Sequence, residues 1–303
     1  IYLNTVDKAI KVYKEVKDLV LKSGKNIPVI LYHSRFTEKY KQRKENMLLD
    51  NLGRKAWNNG IAKGIAILTQ IGEISINISS ELMISEVCPI DRLMQRAGRL
   101  CRFDNSVGEM YILIPYKDNT LYPAPYGSYS QSDKSWIPCK ALLATLGILK
   151  RGIYSAQDLV NILNKVYAEE TNFSIKAQTN VKALEQMFIN NWLINPVEKW
   201  NDDDTHSNTW KSRDIGPQGT AFVIKPKCMH FYNYSEYAEF VLSYSISLPV
   251  YLLDKGRKEH RIDSNCKITI GSNEPIFINV IREGFYTFDV GIDLTNNEED
   301  NFL

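Results

Sequence analysis

The first 114 residues of this 303-residue chain alternate short apolar runs with amphipathic segments. The run Gly64–Leu68 is too short for a helix and rich in β-branched residues, which is typical of a strand buried on both faces. Amphipathic segments over 5–21, 38–51 and 89–97 predict helices between such runs. This alternation predicts a parallel α/β sheet with helices on both faces. The predicted strands are Ile1–Leu3, Pro28–Leu31, Gly64–Leu68, Leu82–Ser85 and Glu109–Ile114.

Polar and cationic residues follow two of these strands. Residues 69–78 come directly after Gly64–Leu68, at the carboxyl end where open α/β sheets bind ligands. The later octet 95–102 reads Gln-Arg-Ala-Gly-Arg-Leu-Cys-Arg, and on a continuous helix Gln95, Arg99 and Arg102 share one face. Guanidinium groups directed at one point neutralise the charge that develops on a transferring phosphoryl group. The octet by itself leaves a solvated basic helix as the alternative.

Together these segments resemble motifs V and VI of superfamily 2 helicases. The run Thr-Gln-x-x-Glu-x-Ser from Thr69, followed by Pro-Ile-Asp-x-x-x-Gln-Arg-Ala-Gly-Arg-Leu from Pro89, is similar to the CRISPR-associated type I helicase–nuclease family. Residues 1–9 resemble the strand-to-helix turn that opens this family's second RecA-like lobe. Residues 31–36 resemble its next strand end. Four motifs in the same order over about 100 residues are far more specific than any one of them.

The resemblance implies a nucleotide-facing set. Gln95, Arg99 and Arg102 would face the γ-phosphate of ATP, with the two arginines as arginine fingers. Asn77 stands where the family usually has an aspartate that contacts the ribose, so a charge-assisted hydrogen bond is lost there. Arg96 is interpreted either as part of this set or as a structural residue that bonds to the neighbouring lobe.

The resemblance also implies a nucleic-acid-facing set. Ser34, Arg35, Thr69 and Gln70 would hold the phosphate backbone of single-stranded DNA, and Glu73 would couple this site to the nucleotide site. Hydroxyl, amide and guanidinium groups suit the sequence-independent grip that a translocating motor needs. The alternative for Thr69 and Gln70 is a polar loop that caps the sheet. His33 is interpreted as a packing or hydrogen-bonding residue.

The sequence lacks a G-x-x-x-x-G-K-[ST] phosphate loop, an acidic box for Mg²⁺ and a His-Asp pair. By resemblance, a first RecA-like lobe would hold ATP and Mg²⁺, upstream of Ile1 or in a separate subunit. A metal-dependent HD nuclease domain and a CRISPR surveillance complex are the other expected partners. No metal ligand is predicted in this chain. Because it begins inside a predicted strand, we interpret it as a piece of a longer or processed polypeptide.

The rest of the chain has a different character. Residues 1–114 are predicted to form the RecA-like lobe, and 115–138, where prolines alternate with tyrosines, a linker. Residues 139–303 are predicted to form a smaller helical and β-rich accessory domain, which in the resembling family covers single-stranded DNA. A capping box at Ser155 and Asp158 begins one predicted helix. The predicted helices are 140–150, 155–170 and 180–193, with Trp192 and Trp200 near the last, and the predicted strands are 221–224, 240–247, 250–253, 266–270, 275–280 and 284–290.

Charge and composition limit the classes of protein to which this chain could belong. Hydrophobic residues are 44% and charged residues 24% of the chain, with no apolar run near the roughly 20 residues of a membrane span. The five cysteines lack zinc or disulfide spacing, which favours a cytoplasmic protein. The net charge is +2, and the amino end of the chain is basic. Its positive charges would either attract phosphate backbones or only keep a helix face solvated.

The sequence therefore predicts the carboxyl-terminal half of an ATP-dependent single-strand DNA translocase of CRISPR interference. Two alternatives stay open. One is a lobe of another superfamily 2 helicase that acts on RNA or in DNA repair. The other is a non-catalytic module that kept the fold and only binds nucleic acid.

Overall fold

The computed structural model describes residues 1–173 except 75, 118 and 131, then 177–179, 181–182, 184–185 and 217–295. Two compact units divide the chain. The first unit comprises residues 1–87, 95–114 and the β-rich segment from 217 onward; the second comprises 88–94 and 115–216. The domain boundaries drawn from the sequence at residues 114 and 138 stay a prediction.

A parallel sheet forms the amino-terminal part of the first unit. Its first strand pairs with its second and its third with its fourth, all in parallel. Tyr2 joins the two pairs, because it forms parallel bridges to Leu68 on one side and Ser85 on the other. The start of the chain, predicted as the strand Ile1–Leu3, thus lies between the two pairs and is here called the central strand. The strands are β1 (Val29–Tyr32), β2 (Ile65–Leu68), β3 (Leu82–Glu86) and β4 (Glu109–Leu113).

Helices cover both faces of this sheet. Along β1, Ile30 and Tyr32 pack with α2 on one face, while Leu31 packs with α1 on the other. Strands that are buried on both sides need such continuous apolar runs, which explains why the sequence reveals them so clearly. The predicted parallel α/β sheet is confirmed. The helices of this part are α1 (Val6–Lys22), α2 (Glu38–Leu52), α3 (Arg54–Asn58), α4 (Ile71–Ile74) and α5 (Ile90–Ala97).

The second unit holds two short hairpins within residues 115–138 and two helices after them. The Ser155 hydroxyl accepts the Asp158 N–H and the Asp158 carboxylate accepts the Ser155 N–H, so the predicted capping box is confirmed. Most of the predicted helix 180–193, together with Trp192 and Trp200, lies outside the described residues. The elements are β5 (Tyr116–Lys117), β6 (Thr120–Leu121), β7 (Gly127–Ser130), β8 (Ser135–Pro138), α6 (Lys140–Ile148), α7 (Ala156–Tyr167) and a 3₁₀ helix (Glu170–Asn172).

The β-rich part of the first unit, here called the module, is a five-stranded mixed sheet over residues 217–295. One face packs an aromatic cluster under α8, and the other packs an aliphatic cluster under α9. Its strand order is β10-β12-β13-β9-β11. The elements are β9 (Gln218–Phe222), β10 (His230–Phe231), α8 (Tyr234–Tyr244), β11 (Ser245–Pro249), α9 (Val250–Lys258), β12 (Ile262–Ile270), β13 (Ile276–Ile281), β14 (Tyr286–Thr287) and β15 (Gly291–Ile292).

Two strand predictions in the module are wrong. The predicted strand 240–247 is the end of α8 followed by β11, and the predicted strand 250–253 is the start of α9. The Asn233 side chain accepts the N–H of Glu236 at 3.0 Å and so begins α8, and Pro249 stands at the N-cap of α9. These start signals outweigh short apolar runs, whose period does not separate helix from strand. The predicted strand 284–290 is reduced to β14.

Candidate functional site

The strands of the amino-terminal sheet end at one common edge, and most of the predicted site residues lie there. Asn4 follows the central strand, Ser34 and Arg35 follow β1, and Thr69 and Gln70 follow β2. Because all the strands run in parallel, their carboxyl ends bring these segments together. The edge is therefore a candidate site that sequence-distant residues build.

Arg96 lies at the centre of this edge and is fully buried. Its Nε donates to Oε1 of Glu73 at 2.8 Å. Its terminal nitrogens donate to Ser85 Oγ, the Glu86 carbonyl and Asn4 Oδ1 at 2.9 to 3.0 Å. A guanidinium carries five donors in a fixed fork, so one side chain connects α5 to three other segments. These bonds of Arg96 all lie within its own lobe, which favours its interpretation as a structural residue.

Arg99 belongs to a turn and not to the helix. Helix α5 ends at Ala97, and the N–H groups of Arg99 and Leu100 bond three residues back, to Arg96 and Ala97. Gly98 lowers helix propensity at this point, which favours an end to the helix. The predicted continuous helix face for Gln95, Arg99 and Arg102 is therefore wrong, because only Gln95 lies on the helix.

The Arg99 side chain is buried against the loop after β2. Its Nη2 donates to the Glu73 carbonyl at 2.6 Å, and its Nε is buried without a hydrogen-bond partner among the residues that the structure describes. The backbone adds further bonds here, since the Ser80 N–H donates to the Arg99 carbonyl at 3.1 Å. The Arg102 N–H donates to Ser79 Oγ at 2.9 Å. Glu73, Ser79 and Ser80 thus connect the loop after β2 to the segment 96–102.

The remaining members of the predicted nucleotide-facing set are exposed. Gln95, Asn77 and the side chain of Arg102 all face solvent. Arg102 keeps one weak bond, from Nη1 to the Gly98 carbonyl at 3.3 Å. Partial burial, followed by the positive charges of Arg99 and Arg54, lowers the pKa of Arg102. A concentration of positive charge at an exposed guanidinium suits an anionic ligand.

Within the loop after β2, most predicted DNA-facing side chains are used internally. Thr69 and Glu73 are buried, and Gln70 donates from Nε2 to the Asn4 carbonyl at 2.9 Å. The Tyr2 hydroxyl donates to the Gly72 carbonyl at 3.0 Å. Burial raises the pKa of Tyr2 to about 12, against the opposing charges of Arg99 and Arg96. This loop is a buried, hydrogen-bonded cap on the sheet that exposes Ile74 and Asn77.

The loop after β1, residues 33–37, exposes Ser34 alone. Arg35 is buried and pairs with Asp7 at the start of α1. His33 is buried and stacks on Phe36 with ring centroids 4.5 Å apart. Burial, followed by the charge of Arg35, lowers the pKa of His33 to about 3. The interpretation of His33 as a packing and hydrogen-bonding residue is confirmed.

Asn4 and Glu86 are central to the edge and were not singled out from the sequence. The Asn4 N–H donates to Glu86 Oε2 at 2.7 Å and its Nδ2 donates to the Val87 carbonyl at 2.8 Å, while Lys8 forms an ion pair with the Glu86 carboxylate. A signal was available, because each polar residue directly follows an apolar strand, as Thr69 does. The rule that located Thr69 applies equally to these two residues.

Within the described ranges, no group of three or more His, Cys, Asp or Glu side chains is placed to hold a metal ion. Among the helices of those ranges, none combines the length and apolar character that crossing a bilayer requires.

Comparison with known proteins begins with the sequence. Residues 1–105 match the family model described as CRISPR-associated nuclease/helicase Cas3, C-terminal. A Cas3 nuclease/helicase relative from Methanocaldococcus jannaschii is 38% identical over 125 residues, which are 39% of this chain and 16% of the relative. The CRISPR-associated endonuclease/helicase Cas3 of Escherichia coli is 34% identical over 99 residues, 33% of this chain and 11% of that protein. The matches thus span less than a fifth of these relatives.

The fold is shared with solved structures. The crystal structure of T. fusca Cas3 with AMPPNP has a TM-score of 0.56 and 16% identity, and covers 82% of this chain and 32% of that one. The ADP form has a TM-score of 0.55 at the same identity, covering 82% of this chain and 31% of that one. At such identity the likeness shows the fold alone, which is a RecA-like lobe. Residues 1–105 are thus similar to the C-terminal region of the CRISPR-associated nuclease/helicase Cas3 family.

Proposed function

We propose that this chain is the second motor lobe and accessory region of an ATP-dependent single-strand DNA translocase of CRISPR interference. One observation carries the proposal: the segments 69–79 and 96–102 are joined by direct bonds at the carboxyl edge of a parallel sheet. A motor must couple nucleotide state to its grip on DNA, and a rigid connection between the two predicted sites supplies that coupling.

On the nucleotide side, Gln95, Asn77 and Arg102 are the residues that reach a nucleotide held by another lobe, since all three are exposed. Arg102 acts as an arginine finger that neutralises charge on the γ-phosphate. Arg99 is the second finger, and its buried Nε is the donor that lacks a described partner. For Arg99 to reach the phosphate, its Nη2 must leave the Glu73 carbonyl. Finger engagement would then alter the loop after β2.

On the DNA side, Ser34 and Gln70 are the accessible contacts, because Ser34 is exposed and Gln70 is half-buried. Arg35, Thr69 and Glu73 are buried, and in this proposal they support the same loops. Hydroxyl and amide donors hold phosphate oxygens without reading bases, which suits a moving motor. We propose that Glu73 couples the sites through its bonds to Arg96 and Arg99.

The ligand and partners follow from the same proposal. The donors Gln95 and Arg102 fit phosphate oxygens, but the sequence has no phosphate loop, so a first RecA-like lobe would hold ATP with Mg²⁺. Bound ATP supplies the phosphoanhydride whose hydrolysis drives movement. T. fusca Cas3 is solved with ATP and with ADP, and a related chain is solved in a CRISPR RNA-guided surveillance complex before nicking, which supports a nucleotide ligand and a surveillance complex as a partner. The proposal adds an HD nuclease domain or subunit as a further partner and the cytoplasm as the location.

The test uses the complete protein that contains this region. Arg102→Ala should lower DNA-stimulated ATP hydrolysis by on the order of 10³-fold, because a finger acts on charge that develops in the transition state. Nucleotide and single-strand affinities should change little. Turnover and equilibrium binding of a labelled nucleotide would measure the two effects separately.

Arg54→Ala is the matched control, because Arg54 is an exposed arginine close enough to affect the titration of Arg102. If both variants hydrolyse ATP like the parent, the finger role is wrong and the chain is a nucleic-acid-binding module. Stimulation by single-stranded RNA in preference to DNA would instead favour another superfamily 2 helicase.

A further inference from the structure

The end of the described chain forms a hairpin that packs against the loop after β1. In this carboxyl-terminal hairpin, residues 286–292, Tyr286 pairs with Ile292 and Thr287 with Gly291. Its base belongs to the module, because Ile292 lies in the module's aliphatic core and the Asp293 N–H donates to the Phe285 carbonyl at 3.0 Å. The hairpin is therefore anchored in the module.

The tip of the hairpin enters the core of the amino-terminal sheet. Val290 packs into the cluster that contains Leu31 and Phe36. Lys44 of α2 is 2% exposed, donates from Nζ to the Asp289 carbonyl at 3.2 Å and lies 4.5 Å from the ring centroid of Phe288. A desolvated ammonium over an aromatic face is a favourable contact. The tip is thus fastened by apolar packing and by a buried cation.

Backbone bonds connect the hairpin to the residues on both sides of Ser34. The Ile292 N–H donates to the Arg35 carbonyl at 3.0 Å. His33 Nε2 lies 3.0 Å from the Val290 carbonyl, 257 residues away in sequence, while its Nδ1 accepts the Arg35 N–H at 3.1 Å. These partners assign the proton to Nε2, which donates to Val290. His33 therefore fixes its own loop and the hairpin with one ring.

Gly291 makes this approach possible. Its φ is +68°, in the left-handed region that favours glycine. An added Cβ would lie 2.5 Å from the Arg35 carbonyl oxygen and 2.9 Å from His33 Cε1. A side chain here would therefore push the hairpin away from the loop.

We propose that the hairpin holds residues 33–37 in the geometry that contacts single-stranded DNA, with His33 and Gly291 as positioning residues. The inference rests on the proposed function for Ser34. Ser34 is exposed, yet the residues before and after it are both bonded to the hairpin, so the module determines where its hydroxyl lies. A movement of the module that withdraws Val290 from the lobe would release this loop and weaken the grip on the strand.

The test compares two glycine variants of the complete protein. Gly291→Ala adds the Cβ that meets the loop, whereas Gly284→Ala adds one at a φ of +90° with nothing within 4 Å. Gly291→Ala should raise the oligothymidylate concentration for half-maximal ATPase stimulation about tenfold, within the usual range of coupling energies, and leave turnover at saturating DNA unchanged. Gly284→Ala shares the backbone strain and should match the parent. A general loss of folding would lower turnover instead.

Hydrogen exchange at the amides of residues 33–37 separates failure of this inference from failure of the proposed function. Faster exchange in Gly291→Ala without any change in DNA dependence would show that the hairpin holds the loop but that the loop does not contact DNA. The proposal would then be wrong, because it requires Ser34 to contact DNA. Exchange equal to that of Gly284→Ala would overturn the positioning role itself.

A milder variant keeps the test decisive if Gly291→Ala does not fold. Tyr286→Phe removes only the hydroxyl that lies 3.2 Å from the Thr37 N–H and 3.1 Å from its Oγ1, and keeps the ring stacked on Tyr40. It should raise the half-maximal DNA concentration in the same direction by a smaller factor. An unchanged value together with unchanged exchange at Thr37 would overturn the proposal.

Discussion

Two loops meet at the same edge of the parallel sheet, and they are held in opposite ways. The loop after β2, residues 69–79, is held from inside its own lobe by Arg96 and Arg99. The loop after β1, residues 33–37, is held from outside by the carboxyl-terminal hairpin. The first arrangement is completed by neighbouring segments of one lobe, whereas the second requires the module to be docked. The edge therefore combines one loop with intrinsic geometry and one whose geometry depends on another part of the chain.

The ion pairs that hold the two loops differ in how far their side chains are exposed to solvent. Arg96 and Glu73 are both 0% exposed in their side chains, so their attraction acts in a medium of low dielectric and escapes salt screening. At the hairpin, Lys17 forms an ion pair with Asp289, and their side chains are 42% and 53% exposed. Lys14 forms an ion pair with Asp293, and the Lys14 side chain is 48% exposed. Exposed pairs contribute little and weaken with salt. The comparison indicates that solution conditions should alter the second loop more than the first.

The largest expected effect concerns the inner network. Arg96→Ala removes the guanidinium from the buried Glu73 carboxylate and from Asn4 and Ser85. Removing one partner of a buried ion pair leaves a charge without compensation, which typically costs about 3–5 kcal/mol. The free energy of unfolding should fall by that amount in urea denaturation.

Arg92→Ala is the control for this variant, because Arg92 lies on the same helix with its side chain 39% exposed. Its loss should cost less than about 1 kcal/mol. Equal destabilisation by the two variants would contradict the picture of a loop held by Arg96.

The fold of the amino-terminal sheet was predictable because local composition determines it. β2 is a run of buried aliphatic residues, and the polar residues after it necessarily lie at a strand end. The predicted strands and helices there agree with the structure to within one or two residues. In the module, apolar runs of similar appearance became α8 and α9, because a short apolar run does not by itself decide between helix and strand. The Asn233 side chain caps the start of α8, whereas Pro249 precedes α9 without a side-chain cap bond.

The sequence predicted which residues lie near the candidate site better than it predicted their geometry. Spacing placed Arg99 on a helix face, but the helix ends at Ala97 and the side chain turns toward Glu73. Burial of Arg35 by Asp7 and the docking of Val290 on His33 depend on contacts between residues far apart in sequence. Local sequence patterns do not reveal such contacts. The sequence therefore identified the edge of the sheet where the site lies, but not the contacts that support its loops.

A second effect, about 1.4 kcal/mol for each pH unit, concerns the loop after β1 and its dependence on pH. The pKa of His33 is about 3 in the folded chain, against an ordinary value of 6.5, because of burial and the nearby charges of Arg35, Lys44 and Lys41. The unfolded chain therefore binds the proton first as the pH falls. Stability is full above about pH 6.5 and should decline by up to about 1.4 kcal/mol per pH unit as the pH falls from there toward 3. Unfolding at a series of pH values measures this slope.

Differences between variants isolate the contribution of His33 from that of the carboxylates. His33→Gln keeps a donor but does not titrate, so its unfolding free energy should depend less on pH between 6.5 and 4.5. His230→Gln replaces an exposed histidine that lies 2.8 Å from Thr269 Oγ1 and is the control for the substitution itself. Parallel curves for His33→Gln and the parent would mean that protonation of His33 does not weaken the loop.

The smallest expected effect concerns the ion pairs that flank the hairpin. Asp289→Asn removes the exposed pair with Lys17 and should lower the free energy of unfolding by less than about 1 kcal/mol, with most of the loss disappearing at 1 M salt. Asp293→Asn should cost more and respond less to salt, because the Asp293 carboxylate is 4% exposed and also accepts the Thr295 N–H and hydroxyl. Burial opposes ionisation there, yet the bonds from Lys14 and Thr295 lower the pKa of Asp293. Urea denaturation of both variants at low and high salt would compare their free energies of unfolding. A larger, salt-independent loss of stability in Asp289→Asn would show that the loop after β1 is held as firmly as the loop after β2.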